Sequence, residues 1–158
     1  MKKLHIALLL TLPLFSDSLV DSLNGKSFLS VGLVQQNTNQ YGNSQALNLS
    51  YSFTHKNKMG MDFAYVQSLD NAKHKTLNKE TDFSSVSLLS TYLYPFDSHI
   101  GIKGKVGYAK NKHAKDGLSY GLELILQVTE KSGFSLSYQQ MNNDMKYIII
   151  NSVYRLKH

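Results

Sequence analysis

With 158 residues, the chain has room for one domain with a full interior and too little for two. It has no cysteine, which excludes disulfide staples, thiolate metal sites and cysteine nucleophiles. Its formal charge of +6 is almost all lysine, placed mainly in turns and loops, with one arginine at Arg155, which argues against nucleic acid as a partner.

The chain opens with Lys2 and Lys3, an apolar run from Leu4 to Phe15, and the small residues Ser16 and Ser18 at the spacing a signal peptidase reads. Residues 1–18 are therefore expected to be a signal peptide and 19–158 the exported domain. The run falls short of the roughly 20 residues a spanning helix needs, and Pro13 interrupts it.

Beyond the leader, eight segments alternate with period two, the signature of strands with two unlike faces. The first, Lys26 to Gln36, sets Leu29, Val31 and Leu33 against Ser30, Gly32 and Val34. A hairpin follows, with Leu47, Leu49, Tyr51 and Phe53 on one arm and Met61, Phe63 and Tyr65 on the other. The fourth, Asp82 to Tyr94, carries Val86, Leu88, Tyr92 and Tyr94; the fifth, His99 to Ala109, carries Ile100, Ile102, Val106 and Tyr108. The sixth runs Leu118, Tyr120, Leu122, Leu124, Leu126 and Val128, and the seventh Phe134, Leu136 and Tyr138. The eighth, Tyr147 to Leu156, sets Ile148, Ile150, Tyr154 and Leu156 against Ile149, Asn151, Val153 and Arg155.

Short connections at 55–58, 95–98 and 129–132 alternate with longer polar ones at 37–44, 70–81 and 110–117. The last connection, 142–144, is short. This rhythm places the short turns at one end of an antiparallel barrel. The slightly negative mean hydropathy excludes a bundle of membrane helices but not such a barrel, whose alternation averages out.

Aromatic placement points the apolar face toward lipid. Tyr51, Phe53, Phe63, Tyr92, Tyr94, Phe134 and Tyr154 fall near the short-turn end, Tyr65, Tyr108, Tyr120 and Tyr138 near the long-loop end, with aliphatic residues between. Two interfacial girdles around an aliphatic band have this distribution, because a tyrosine ring prefers the acyl boundary while its hydroxyl stays wet. The other face is rich in small polar residues, with charges at Asp62, Lys103, Lys105, Glu123 and Arg155. On a lumen wall these charges are expected to form an ionic plug, since unpaired charge is costly there. The alternative is that each is solvated separately.

The run TYLYPFDSHIGIKGKVGYA, Thr91 to Ala109, resembles the strand-turn-strand of small outer-membrane barrels of the outer-membrane protein A and opacity-protein type. The closing Tyr154-Arg155-Leu156 is similar to that superfamily's terminal Tyr-Arg-Phe, with leucine in the last place and Lys157 and His158 beyond it. The resemblance covers about Lys26 to Leu156. It implies an all-β, eight-stranded antiparallel up-and-down transmembrane barrel, a charged network in the lumen, and recognition by the barrel assembly machinery. The peptidoglycan-binding domain of the longer relatives is not expected.

Residues for chemistry are sparse. Some barrels of this size modify lipid A through a serine beside a histidine on a lipid-facing strand. This chain has no His-x-Ser, and His99, next to Ser98, opens a strand at the short-turn end. An enzyme is not expected, nor a cofactor. His74 and His113, with Asp70 or Asp116, could approach a divalent metal only by loop folding, so no metal site is expected. Lys73, Lys75 and Lys79, then Lys110, Lys112 and Lys115, give the long loops a basic character suited to lipopolysaccharide phosphates. The expected role is structural or surface interaction in the outer membrane of a Gram-negative bacterium: membrane integrity, adhesion, or contact with lipopolysaccharide or a host-cell ligand. A narrow passive channel is the alternative and a lipid-A-modifying enzyme the third reading.

Overall fold

The computed structural model describes residues 25–55 and 57–156. The expected leader over 1–18 and the final Lys157 and His158 lie outside these residues. Among the described residues there are ten strands: β1 (Lys26–Thr38), β2 (Ser44–Thr54), β3 (Met59–Ser68), β4 (Ala72–Lys73), β5 (Glu80–Thr81), β6 (Ser85–Pro95), β7 (Ile100–Asn111), β8 (Gly117–Gln127), β9 (Ser132–Asn142) and β10 (Met145–Arg155). Eight of them close into one antiparallel barrel in the order β1-β10-β9-β8-β7-β6-β3-β2, while β4 and β5 form a small hairpin in the loop between β3 and β6. The closing seam is a full ladder, from Phe28 opposite Arg155 to Thr38 opposite Met145, so the barrel has no free edge.

Alternation decides which side chains fill the barrel. On β8, Ser119, Glu123 and Ile125 are buried, whereas their neighbours Leu122 and Leu124 are 56 % and 45 % exposed. The same holds on β10, where Tyr147 and Ile149 are buried and Ile150 is 60 % exposed. An outer surface covered by leucine, isoleucine, valine and aromatic rings on every stave is far larger than the apolar patches that water-soluble monomers tolerate. Hydrocarbon is the solvent that suits it, and staves of 10 to 13 residues have the length for a tilted crossing.

Two glycines set how tightly the wall can curl. A Cβ on Gly32 would lie 2.1 Å from the carbonyl oxygen of Ile150, and one on Gly107 would lie 2.1 Å from that of Leu88. Only hydrogen fits at these crossings, where neighbouring backbones press together at the barrel wall. In the short turn between β2 and β3, Lys58 adopts a left-handed φ of 70°, its N–H donating to the His55 carbonyl.

Several expectations change at element ends. The fourth segment was expected from Asp82, but β6 begins at Ser85. Phe83 leaves the ladder to bury its ring in the mouth, and its carbonyl accepts from Gln36 Nε2 and the Tyr147 hydroxyl instead of from a strand. Lys110, expected in a loop, belongs to β7 and points outward.

Candidate functional site: the filled interior and the outer mouth

The interior is filled in zones. Near the short turns Phe28, Leu93 and Ile125 form an apolar cluster with Val153 packed on it. Above it, β3 supplies Asp62, β7 supplies Lys103 and Lys105, and β8 supplies Glu123. Lys105 Nζ lies 2.8 Å from a carboxylate oxygen of both Asp62 and Glu123, and Lys103 Nζ lies 3.6 Å and 3.5 Å from the same two groups. All four side chains are at most one-tenth exposed. Two cations facing two anions leave no net charge, the condition under which buried ions persist. The cavity beside Lys103 and Glu123 measures about 20 Å³, space for a single water.

Arg155 departs from the expectation and takes no part in these ion pairs. It ends β10 opposite Phe28, and Val153, the preceding inward position, packs into the apolar cluster that separates it from the charges. Deeper toward the loops the wall carries a neutral polar layer. Asn48 donates to Asn151 at 2.9 Å, Asn151 donates to Ser135 at 3.2 Å, and Gln139 donates to Ser119 at 2.9 Å.

At the outer end a second apolar cluster closes the barrel, built from residues including Val34, Ala46, Val66, Phe83, Met145 and Tyr147. Gln36 ties it together. Its Nε2 donates to the Phe83 carbonyl at 2.6 Å and to the Tyr147 hydroxyl at 2.9 Å, while its Oε1 accepts from Ser44 and Ser68, each at 3.0 Å. All the hydrogen-bonding capacity of one buried amide is thus used across four staves and a loop. Sequence reasoning singled out neither Gln36 nor Tyr147. The available signal was phase: Gln36 is in step with inward Val34, and Tyr147 with inward Ile149.

The mouth is built from loops that hold one another. Gly42 N–H donates to the Lys73 carbonyl at 2.8 Å, Lys75 N–H to Gln40 at 3.0 Å, and Asn39 N–H to Asp144 at 3.0 Å. The Tyr41 ring stands edge-on to His74 and Phe83, with centroids 4.9 Å and 5.1 Å away. Across the mouth, Asp82 takes Lys112 at 3.1 Å and His113 Nδ1 at 2.9 Å. Partial burial pushes the Asp82 carboxyl up, but the hydrogen bond and charge of Lys112, then the charge of His113, hold it below the usual carboxylate range. In the short turn at the other end, the backbone N–H groups of His99 and Ile100 likewise lower Asp97.

The loop lysines have separate placements. Lys73 pairs with Glu80 at 3.6 Å, Lys75 Nζ donates to the Asn39 carbonyl at 2.8 Å, and Lys112 belongs to the Asp82 tether. Lys79 and Lys115 are exposed on their loops and Lys110 on the outer wall. The two histidines do not converge. His74 Nδ1 accepts from the Thr76 and Leu77 N–H groups, His113 faces Asp82, and no cluster of three metal-ligating side chains occurs among the described residues. At the short-turn end the Ser98 hydroxyl lies 2.7 Å from His99 Nδ1.

Tyr51, Phe53, Tyr92, Tyr94 and Tyr154 stand exposed on the outer wall toward the short turns, and Tyr65, Tyr108, Tyr120 and Tyr138 toward the long loops. The Tyr51 hydroxyl donates to Ser27 at 2.8 Å.

Solved structures share this architecture. A de novo designed transmembrane β-barrel superposes with a TM-score of 0.66 at 10 % identity, over 84 % of this chain and 97 % of that one. Ail, the attachment invasion locus protein of Yersinia pestis, gives 0.61 at 18 % identity over 84 % and 99 %. It has also been solved in complex with the heparin analogue sucrose octasulfate. The outer membrane protein OprG from Pseudomonas aeruginosa gives 0.59 at 11 % identity over 86 % and 98 %. No protein-family model matches the sequence, and no curated protein matches it significantly. The fold is that of the small eight-stranded outer-membrane β-barrels.

Proposed function

We propose that this protein resides in the outer membrane of a Gram-negative bacterium as a sealed barrel whose work is done by its basic outer loops, in contact with lipopolysaccharide or the surface of another cell. The carrying observation is the interior: a neutral, buried quartet of Asp62, Lys103, Lys105 and Glu123 lies between two apolar clusters. Side chains occupy the axis that a solute would need. What remains free to act is the mouth, where lysines stand in water. Ail, which shares the fold, has been solved in complex with a polyanionic sugar, which supports surface contact as the role.

The aromatic girdles seat the barrel at the two interfaces, and the Tyr154-Arg155-Leu156 ending serves insertion by the assembly machinery. The role proposed is not enzymatic: lipid A mass spectra are expected to be unchanged by gene deletion, and a new or missing acyl chain overturns it.

Two experiments test the sealed surface protein. In planar bilayers the purified barrel is expected to give no conductance above the empty membrane. A stable unitary conductance that shifts in Lys103→Glu would restore the channel. In cells, deletion is expected to admit a large hydrophilic antibiotic or reduce adherence. A chain with its loop lysines changed to glutamine should then fail to complement. Full complementation by that chain removes the loops from the function.

A further inference from the structure

A concavity of about 380 Å³ opens at the outer mouth between residues 38–41, the 112–115 loop and the Asp144–Met145 corner. Phe83 and Met145, both buried, form its floor. Beneath that floor Gln36 and Tyr147 bind the Phe83 carbonyl, so the concavity is a blind pit and not the vestibule of a pore.

Its walls are braced before anything binds. The Lys115 carbonyl accepts from the side-chain amides of Asn111 at 2.8 Å and Asn142 at 2.6 Å, and the 39–42 segment is held to residues 73, 75 and 144 by backbone hydrogen bonds. A pre-braced site does not spend binding energy on ordering loops.

The lining has three chemistries. Tyr41 offers a ring, held edge-on by His74 and Phe83 and with no parallel ring partner among the described residues. Asn39 Nδ2 donates to Asp144 Oδ1 at 3.3 Å, which sets an amide and a carboxylate side by side, the donor-and-acceptor pair that adjacent sugar hydroxyls match. On the opposite wall stand Lys112, His113 and Lys115. Asp82 engages the first two, and Lys115 makes no ion pair among the described residues. The volume is at the small end of ligand pockets, the size for one ring with a charged substituent.

We propose that this pit binds a phosphorylated saccharide unit, its ring against Tyr41, its hydroxyls on Asn39 and Asp144, and its phosphate on Lys115 with Lys112. A phosphomonoester brings close to two negative charges and three acceptor oxygens; Lys115 meets them with a whole ammonium, and Lys112 with the donors it does not give to Asp82. The inference deepens the surface-contact reading and rests on it only in placing the mouth outside the cell. The same chemistry has two sources: the phosphorylated core sugars of lipopolysaccharide in this membrane, or a phosphorylated glycan brought by another surface.

The test uses the full barrel in phosphatidylcholine nanodiscs free of lipopolysaccharide, titrated calorimetrically with glucose 6-phosphate, glucose and inorganic phosphate. Saturable one-to-one binding of glucose 6-phosphate is expected, about tenfold or more tighter than either fragment. Lys115→Gln and Tyr41→Ala are each expected to weaken it about tenfold, with Lys131→Gln, exposed in a short turn at the other end of the barrel, unchanged. Heat-dependent gel mobility verifies that each variant is folded. Lipopolysaccharide with a phosphorylated core, added to the nanodisc, displaces the probe if the source is this membrane and leaves it bound if the source is external; both support the pit. Absence of saturable binding, inorganic phosphate binding as tightly as the sugar phosphate, or an unaffected Lys115→Gln overturns it. The cellular permeability and adherence phenotypes are read separately, so failure here with those phenotypes intact removes the pit and not the surface role.

Discussion

Lys105 Nζ lies 2.8 Å from Glu123 Oε2, although the residue directly across the ladder from Glu123 is Lys103, whose Nζ stands off at 3.5 Å. The diagonal contact is the tighter one, and the same ammonium also reaches Asp62 at 2.8 Å. Lys105 is therefore the hub of the quartet. In Lys105→Met, two buried carboxylates are left to share Lys103. A loss of about 3–5 kcal/mol is expected, the usual cost of stranding a buried charge. Lys103→Met is expected to lose less, because both short contacts survive. Urea midpoints in micelles at neutral pH rank the two variants; equal losses would show that the lysines share the load evenly.

Gln36 is the corresponding hub of the outer cluster. Replacing it by leucine removes four hydrogen bonds and leaves the Ser44 and Ser68 hydroxyls without their acceptor. A cost of about 1–3 kcal/mol is expected. The 69–84 loop should loosen, since Gln36 holds it by the Phe83 carbonyl. Trypsin cleavage at Lys73, Lys75 or Lys79 should rise more in Gln36→Leu than in Tyr147→Phe, which keeps the 2.6 Å bond from Gln36 to Phe83. Equal cleavage in both variants and the wild type would mean that the loop is held elsewhere.

The strands were legible because a barrel stave reports its own geometry. Every second side chain points out of the barrel, so Leu47, Leu49, Tyr51 and Phe53 announce both the period and the outward face without reference to any other strand. Which inward side chains meet is a different kind of fact. Asp62 and Lys105 lie far apart in sequence and approach only through the stagger of the closed sheet, a quantity that no single strand encodes. Arg155 shows the cost of that gap: its phase gave the face but not the depth, and the apolar cluster around Phe28 cuts it off. The mouth was the least legible part. Tyr41, His74 and Phe83 come together through backbone pairing between two loops, and their polar surroundings gave no periodic signal.

Gly107 and Gly104 share one strand and differ in what surrounds them. A Cβ at Gly107 would lie 2.1 Å from the Leu88 carbonyl oxygen and 2.7 Å from the Leu89 Cα, whereas at Gly104 the nearest heavy atom is 4.0 Å away. Gly107→Ala is thus expected to force the β6–β7 pairing apart, at about 1–3 kcal/mol, the usual range for overpacking. Gly104→Ala should be neutral within about 0.5 kcal/mol. The fraction of heat-modifiable barrel recovered on refolding separates them. Equal recovery would show that the β6–β7 ladder has slack that the backbone contacts do not suggest.

The Asp82 tether carries a pH dependence whose sign follows from its charge. Lys112 and His113 hold its carboxyl below the ordinary 3.8, against the upward push of partial burial. A carboxylate lowered in the folded state stabilises that state above its unfolded value and loses the contribution as pH falls through the folded one. The link between the loops around residues 82 and 112 should therefore be fully present at neutral pH and at pH 5, and release only below about 3.8. Amide relaxation of residues 111–116 in micelles reads this directly: ordered at pH 5 and increasingly mobile as the pH falls through the lowered value of the folded state, with Asp82→Asn mobile throughout. Because Asp82 lies outside the barrel wall, the far-ultraviolet signal of the strands should not change with the release of the loop. Loops that stay equally ordered in Asp82→Asn would assign their order to the Lys115 carbonyl and its two asparagine donors.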